Sequence, residues 1–147
     1  MMKYTLQEGT FSLFPAAWQD TSVNFLRDDE SGLSVVVSRS AIPDDSDAEK
    51  EFYRQWDVLR TQMGEINQSD FQRVTTGVDG NIPATEVDTT FERNGQRMWQ
   101  RQLAIEVPDK PMLMIFTLSA PRPFTDKDGE RWNALKRTLT LNSTRNV

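Results

Sequence analysis

Along Leu33-Ser34-Val35-Val36-Val37-Ser38-Arg39 the side chains divide by alternation into two sets. Leu33, Val35 and Val37 fall on one face of a strand, and Ser34, Val36 and Ser38 on the other. The second face holds one valine between two hydroxyls, so it is neither a dry core nor a charged solvent surface. It suits an apolar ligand that brings some polar atoms with it. Residues 21–27 alternate in the same way, with Val23 and Phe25 on a common face, and Asp28-Asp29-Glu30-Ser31-Gly32 supplies a polar turn. The two runs therefore predict an antiparallel hairpin. A shorter strand is expected at Thr10-Phe11-Ser12-Leu13, ended by Pro15.

The period then changes. Ser46-Asp47-Ala48-Glu49 matches the S-x-x-E capping box, and Phe52, Trp56, Leu59, Met63 and Ile66 follow at spacings of four, three, four and three. This is the apolar stripe of an amphipathic helix whose other faces carry Glu49, Lys50, Asp57 and Arg60. By pattern it is core, packed on a sheet. Residues 71–105 predict three antiparallel strands, with turns at Asp79-Gly80 and Asn94-Gly95. Within the last of these strands Met98, Gln100, Gln102 and Ala104 project to one side, and Trp99, Arg101, Leu103 and Ile105 to the other. The uncharged amides repeat the chemistry of the Ser-Val-Ser face, since they donate and accept hydrogen bonds without the desolvation cost of a charge.

After the turn Pro108-Asp109-Lys110-Pro111, residues 112–119 read as apolar on both faces, the mark of a central strand. Pro121 and Pro123 end it, and Thr125-Asp126-Lys127-Asp128 caps a second helix with apolar positions at Trp132, Leu135 and Leu139. A polar tail begins at Asn142. Strands, helix, strand meander and helix, in that order, indicate a single α+β domain over residues 1–147 with a mainly antiparallel sheet, a long helix after the first hairpin and a C-terminal helix.

Composition narrows the chemistry. The 147-residue chain has a net charge of −5 and Lys and Arg that do not cluster, so it lacks the basic stripe of a nucleic-acid binder. It contains no Cys and no His, which removes disulfides, thiolate nucleophiles, the usual zinc sites and imidazole acid–base catalysis. Lysines occur at Lys3, Lys50, Lys110, Lys127 and Lys136, none of them in a Ser-x-x-Lys arrangement. The acidic pairs Asp28 with Asp29, Asp44 with Asp45 and Asp126 with Asp128 sit in turns or helix starts, where acids cap helices and favour the dipole. Thr76-Gly77-Val78-Asp79-Gly80 precedes a strand and is a hairpin turn instead of a phosphate cradle. No catalytic residue, metal or cofactor is expected. The N-terminal residues lack a secretory signal pattern and no run of about 18 apolar residues occurs, so the expectation is a cytoplasmic protein without direct membrane insertion.

Several short motifs occur in a fixed order: Trp18-Gln19-Asp20, Ser22-Val23-Asn24-Phe25, Ser34-x-Val36-x-Ser38-Arg39, Arg54-Gln55 and Arg101-Gln102. In this order the chain resembles the DcrB-like family and, more closely, the Eag-type chaperones that accompany type VI secretion effectors. The resemblance implies a Mog1/PsbP-like α/β sandwich, a homodimer, and a role in holding the N-terminal transmembrane helices of an effector before export. It implies no catalysis. Carried over by position, the client-binding residues are Val23, Phe25, Ser34, Val36, Ser38, Gln55, Met63 and Gln102. Phe25 departs from the Ile or Val common at that position, which narrows or reshapes a groove. The rival expectation is a general protein-binding module of Mog1-like fold that uses the acidic edge Asp28-Asp29-Glu30.

Overall fold

Asn94 and Gly95 have φ angles of 53° and 78°, the left-handed pair that a two-residue hairpin turn with the native strand twist requires. They join the two longest strands, Ile82–Arg93 and Gln96–Glu106. Around this hairpin a computed structural model describes residues 2–18, 21–62 and 65–142. In chain order the elements are β1 (Met2–Thr5), β2 (Thr10–Leu13), β3 (Asn24–Asp28), β4 (Leu33–Ala41), α1 (Ala48–Gln62), β5 (Ile66–Gln68), β6 (Gln72–Thr76), β7 (Ile82–Arg93), β8 (Gln96–Glu106), β9 (Met112–Ala120) and α2 (Asp126–Thr138).

β1 and β2 form a two-stranded sheet of their own. The other seven strands form one antiparallel sheet in the order β3-β4-β9-β8-β7-β5, with β6 also paired to β7. The expected α+β architecture, with a helix after the first hairpin and another at the C-terminal end, is the one observed. β9 lies between β4 and β8, which is the central position its apolar composition requires.

Each helix covers one face. Beneath α2, Trp132 packs with Leu33, Leu103, Ile105, Leu118 and Ala120. Beneath α1, Phe52 and Trp56 pack with Ile42, Val87, Ala104, Leu113 and Ile115. Burying such side chains contributes about 1.5–3 kcal/mol each, so the two clusters hold the helices to the sheet. Thr125 and Asp128 form the reciprocal capping box at the start of α2. Asp128 is only 1% exposed and also receives Arg122 Nη1 at 2.6 Å, while Arg122 Nη2 reaches the Ser31 carbonyl at 2.6 Å. One guanidinium thus ties the β3–β4 turn to the base of α2. It holds the Asp128 carboxyl well below the usual carboxylate range.

Several expectations shift. The first hairpin strand starts at Asn24, so Val23 precedes it. Asp47, not Ser46, caps α1: its Oδ1 accepts from the Lys50 amide at 2.9 Å. Ile66 belongs to β5 and not to the helix stripe, because α1 stops at Gln62. Met63 lies outside the described residues, as do Gly64 and most of the polar tail. Leu59 is 37% exposed, so the buried stripe narrows to Phe52 and Trp56. β1 and β5 have only four and three residues, too few for periodicity to reveal.

Candidate functional groove

Register decides which side chains share a face, because directly paired residues in an antiparallel sheet project the same way. Phe25 pairs with Val36, Val36 with Thr117, Thr117 with Gln102, and Gln102 with Val87. These five residues form a row across the α1 face. A parallel row runs Arg27, Ser34, Ser119, Gln100, Thr89 and Gln68, polar throughout and uncharged from Ser34 onward. Ser38, two residues from Val36, pairs with Ile115 in the next row.

α1 covers this face unevenly. At the β7–β8 side Trp56 is buried and donates from Nε1 to Gln102 Oε1 at 2.8 Å; Gln102 Nε2 in turn donates to Thr117 Oγ1 at 3.0 Å. Gln100 Nε2 donates to Ser119 Oγ at 3.2 Å. On the side of α1 toward β4, Gln55 Nε2 donates to Ser40 Oγ at 3.0 Å. Glu51, 4% exposed, is held by Arg54, whose hydrogen bonds keep the carboxyl below its ordinary pKa. Beyond Gln55 the cover ends. Ser34, Val36 and Ser38 are half-buried, and Phe25 on the edge strand is 64% exposed.

The result is a groove bounded by α1 on one side and the free β3 edge on the other. Its floor is Ser34, Val36 and Ser38, with Thr117 and Ser119 behind. Among the described residues the Ser34 and Ser38 hydroxyls make no side-chain hydrogen bond, so they remain open to a ligand. Gln102 uses one amide proton and one oxygen lone pair internally, which fixes its plane and leaves one of each. The one charged side chain in these two rows is Arg27 at the sheet edge, which pairs with Asp29. An apolar segment carrying occasional hydroxyls or amides meets matching atoms from Val36 to Gln102 without displacing a charge.

Of the residues carried over by resemblance, the structure brings Phe25, Ser34, Val36, Ser38 and Gln102 onto one sheet face, with Gln55 on the helix above. Val23 is 60% exposed and lies just before the edge strand. Met63 is outside the described residues. Sequence reasoning put Gln100 beside Gln102 but missed Trp56, Thr117 and Ser119 as parts of the same surface. For β9 the reading of apolar faces on both sides holds for only half the strand: toward α1 it changes from Leu113 and Ile115 to Thr117 and Ser119. That change was visible as two hydroxyls in an otherwise apolar run; only the register says what they lie beside.

The acidic turn is differently occupied. Asp28 Oδ2 accepts from Ser31 Oγ at 2.6 Å, a hydrogen bond that lowers its pKa, and Asp29 pairs with Arg27 at 2.9 Å. These acids close their own turn. Among the described residues no group of acids could hold a metal ion, and no helix is long and apolar enough to cross a membrane.

Fold and groove together define an antiparallel α/β sandwich with helices on opposite sheet faces and a surface, uncharged except for Arg27 at its edge, left half open. The chain belongs to the DcrB family, whose model matches residues 8–138. It is also similar to a crystal structure of a Pseudomonas aeruginosa protein of unknown function, for which a regulatory role has been suggested. The two share 28% identity and a TM-score of 0.70 over 98% of this chain and 99% of that one. No curated protein matches the chain.

Proposed function

We propose that the groove receives the N-terminal transmembrane helices of a type VI secretion effector, and that the chain is a non-catalytic cytoplasmic chaperone or adaptor that shields them before export. The observation that supports this reading most directly is the row Phe25, Val36, Thr117, Gln102, Val87, which is apolar at its open end and polar in its middle. A membrane helix of about 20 apolar residues is driven to aggregate in water by roughly 0.8 kcal/mol per exposed methylene. Val36 and Phe25 offer apolar cover. Ser34, Ser38, Gln55 and Gln102 offer hydrogen bonds to the small polar residues that mark helix-packing faces in membranes. Membership in the DcrB family and the order of the short motifs agree with this assignment.

The test is co-expression with an effector N-terminal segment, reading client solubility and co-purification. Phe25→Asp and Val36→Asp place a charge on the apolar floor and should abolish retention; Gln102→Ala should reduce it. If both aspartate variants keep the client as well as the parent chain does, the groove is not the client site. Salt gives a second check, since binding through an apolar groove survives high ionic strength while binding through the acidic turn does not.

A further inference from the structure

Alternation sends the two residues of Arg101-Gln102 to opposite faces of β8, and only Gln102 belongs to the groove. On the other face, at the β5–β7 margin and outside the cluster under Trp132, Arg101 pairs across the sheet with Asp88, and Thr90 with both Trp99 and Asn67. These side chains and Phe124, from the segment leading into α2, line a depression of 480 Å³. The Arg101 guanidinium carbon lies 4.8 Å from the centroid of the Phe124 ring. Its Nη1 rests against Gly129, where an added Cβ would stand 3.6 Å away. The Arg101 side chain is only 25% exposed, yet among the described residues none of its five N–H groups finds a hydrogen-bond acceptor. Asp88 Oδ1 stands 3.8 Å from Nε, and the Asp88 carboxylate accepts no hydrogen bond either. By contrast Arg73, far more exposed, grips Glu49 with two bonds of 2.8 Å. Partial burial pushes the Asp88 pKa above its ordinary value, and the charge of Arg101 does not bring it back. Both groups are thus partly desolvated without the partners that desolvation demands.

We propose that this depression binds a free α-amino acid with an apolar side chain, its carboxylate on Arg101 and its ammonium on Asp88. The site lies on the face opposite the groove and does not depend on it. The two protein charges cancel, so a lone anion is repelled by Asp88 and a lone cation by Arg101. A ligand that carries both signs on neighbouring atoms is attracted at both ends. The spacing agrees. With charge-assisted bonds of about 2.8 Å from Arg101 to the carboxylate and from the ammonium to Asp88, ligand and protein close a four-cornered ring whose protein side is the 3.8 Å gap. A pair in direct contact, as Arg73 and Glu49 are, would have to be broken first. Trp99 and Phe124 supply the surface for the ligand's side chain, and Asn67 and Thr90 add hydrogen-bonding atoms at the rim. A volume of 480 Å³ is in the range of small-molecule sites, at the end suited to a ligand of this size.

The test is isothermal titration calorimetry of the full chain with L-leucine and L-phenylalanine. Two analogues are titrated beside them: N-acetyl-L-leucine, which lacks the ammonium, and L-leucinamide, which lacks the carboxylate. At least one amino acid should bind with a dissociation constant below about 1 mM, and both leucine analogues at least about tenfold more weakly than leucine. Amide shifts in the nuclear magnetic resonance spectrum should centre on residues 88–90 and 99–101 and spare Val36 and Thr117. Asp88→Asn is nearly isosteric at a side chain 54% exposed, so it should keep the thermal melt of the parent chain while weakening binding about tenfold. Arg101→Gln should weaken it at least as much. The inference is overturned if neither amino acid binds, if an analogue lacking one charge binds as well as leucine, or if Asp88→Asn binds as tightly as the parent chain. Shifts centred on the groove overturn it too, and leave Arg101 and Asp88 a hydrated ion pair only. No client is present in these titrations, so the reading of the groove stands or falls separately.

Discussion

The two faces of the large sheet are drawn from the same strands, yet one is closed and the other is not. Toward α2, β8 contributes Leu103 and Ile105, β9 contributes Leu118 and Ala120, and Trp132 covers them. The Arg122–Asp128 pair fastens the end of that helix to the β3–β4 turn. Toward α1, the same β8 contributes Gln100 and Gln102 and the same β9 contributes Thr117 and Ser119. The helix there hydrogen-bonds to the sheet through Trp56 and Gln55 and leaves the β4 side uncovered. The α2 face is carbon at these positions; the α1 face has a core cluster of its own but keeps hydroxyls and amides beside it.

Substitutions that separate the faces should differ first in size. Leu103→Ala, at a fully buried position under α2, should cost about 3 kcal/mol in a urea melt. A loss under 1 kcal/mol would mean that the closed face is not where stability resides. Asp128→Asn should come next, at about 2 kcal/mol, since it leaves Arg122 without its charge partner and weakens the α2 cap. The sign of its pH dependence follows from a folded-state pKa below the unfolded-state value. The contribution is complete above the ordinary carboxylate range, declines from about pH 4 downward, and is lost as the pH falls through the folded-state pKa. Acid titration of the Asn variant should therefore show a shallower loss of stability below that point than the parent chain.

On the open face the effects should shrink. Gln102→Ala strips the buried Trp56 indole of its acceptor and should cost about 1–2 kcal/mol, with a change in tryptophan emission. Ser38→Ala should alter stability by no more than about 0.5 kcal/mol, because its hydroxyl supports nothing in the free protein. The comparison sharpens if Ser38→Ala nevertheless lowers client retention, and it breaks if Ser38→Ala destabilises the fold as much as Gln102→Ala does.

Much of this was legible before the fold was known. Alternation in β4 and β8 placed Ser34, Val36 and Ser38 together, and Gln100 with Gln102, because the period of two is a property of the strand alone. Asn94-Gly95 fixed the β7–β8 hairpin for a similarly local reason. What stayed hidden was the neighbourhood. Nothing local says that β9 lies between β4 and β8, so Thr117 beneath Trp56 and Gln102, and Ser119 beside Gln100, could not be found from spacing. The same holds for Leu59: helical spacing puts it on the stripe, while the position of α1 over β8 and β9 leaves it partly in water.

The pairing of β4 with β9 has a consequence in time. Ser34 meets Ser119 and Ala41 meets Met112, strands from opposite ends of the chain. During synthesis at about 5–20 residues per second the β3–β4 hairpin and α1 emerge long before β9 exists. Until then Val36 has no Thr117 beside it, and the floor lacks the hydroxyls of Thr117 and Ser119 behind it. Such distant pairings are also the slow ones to form. The surface that would hold a sticky client is thus complete only once β9 has joined β4 and β8, and a nascent copy that has not yet made β9 cannot capture a client by a half-made groove.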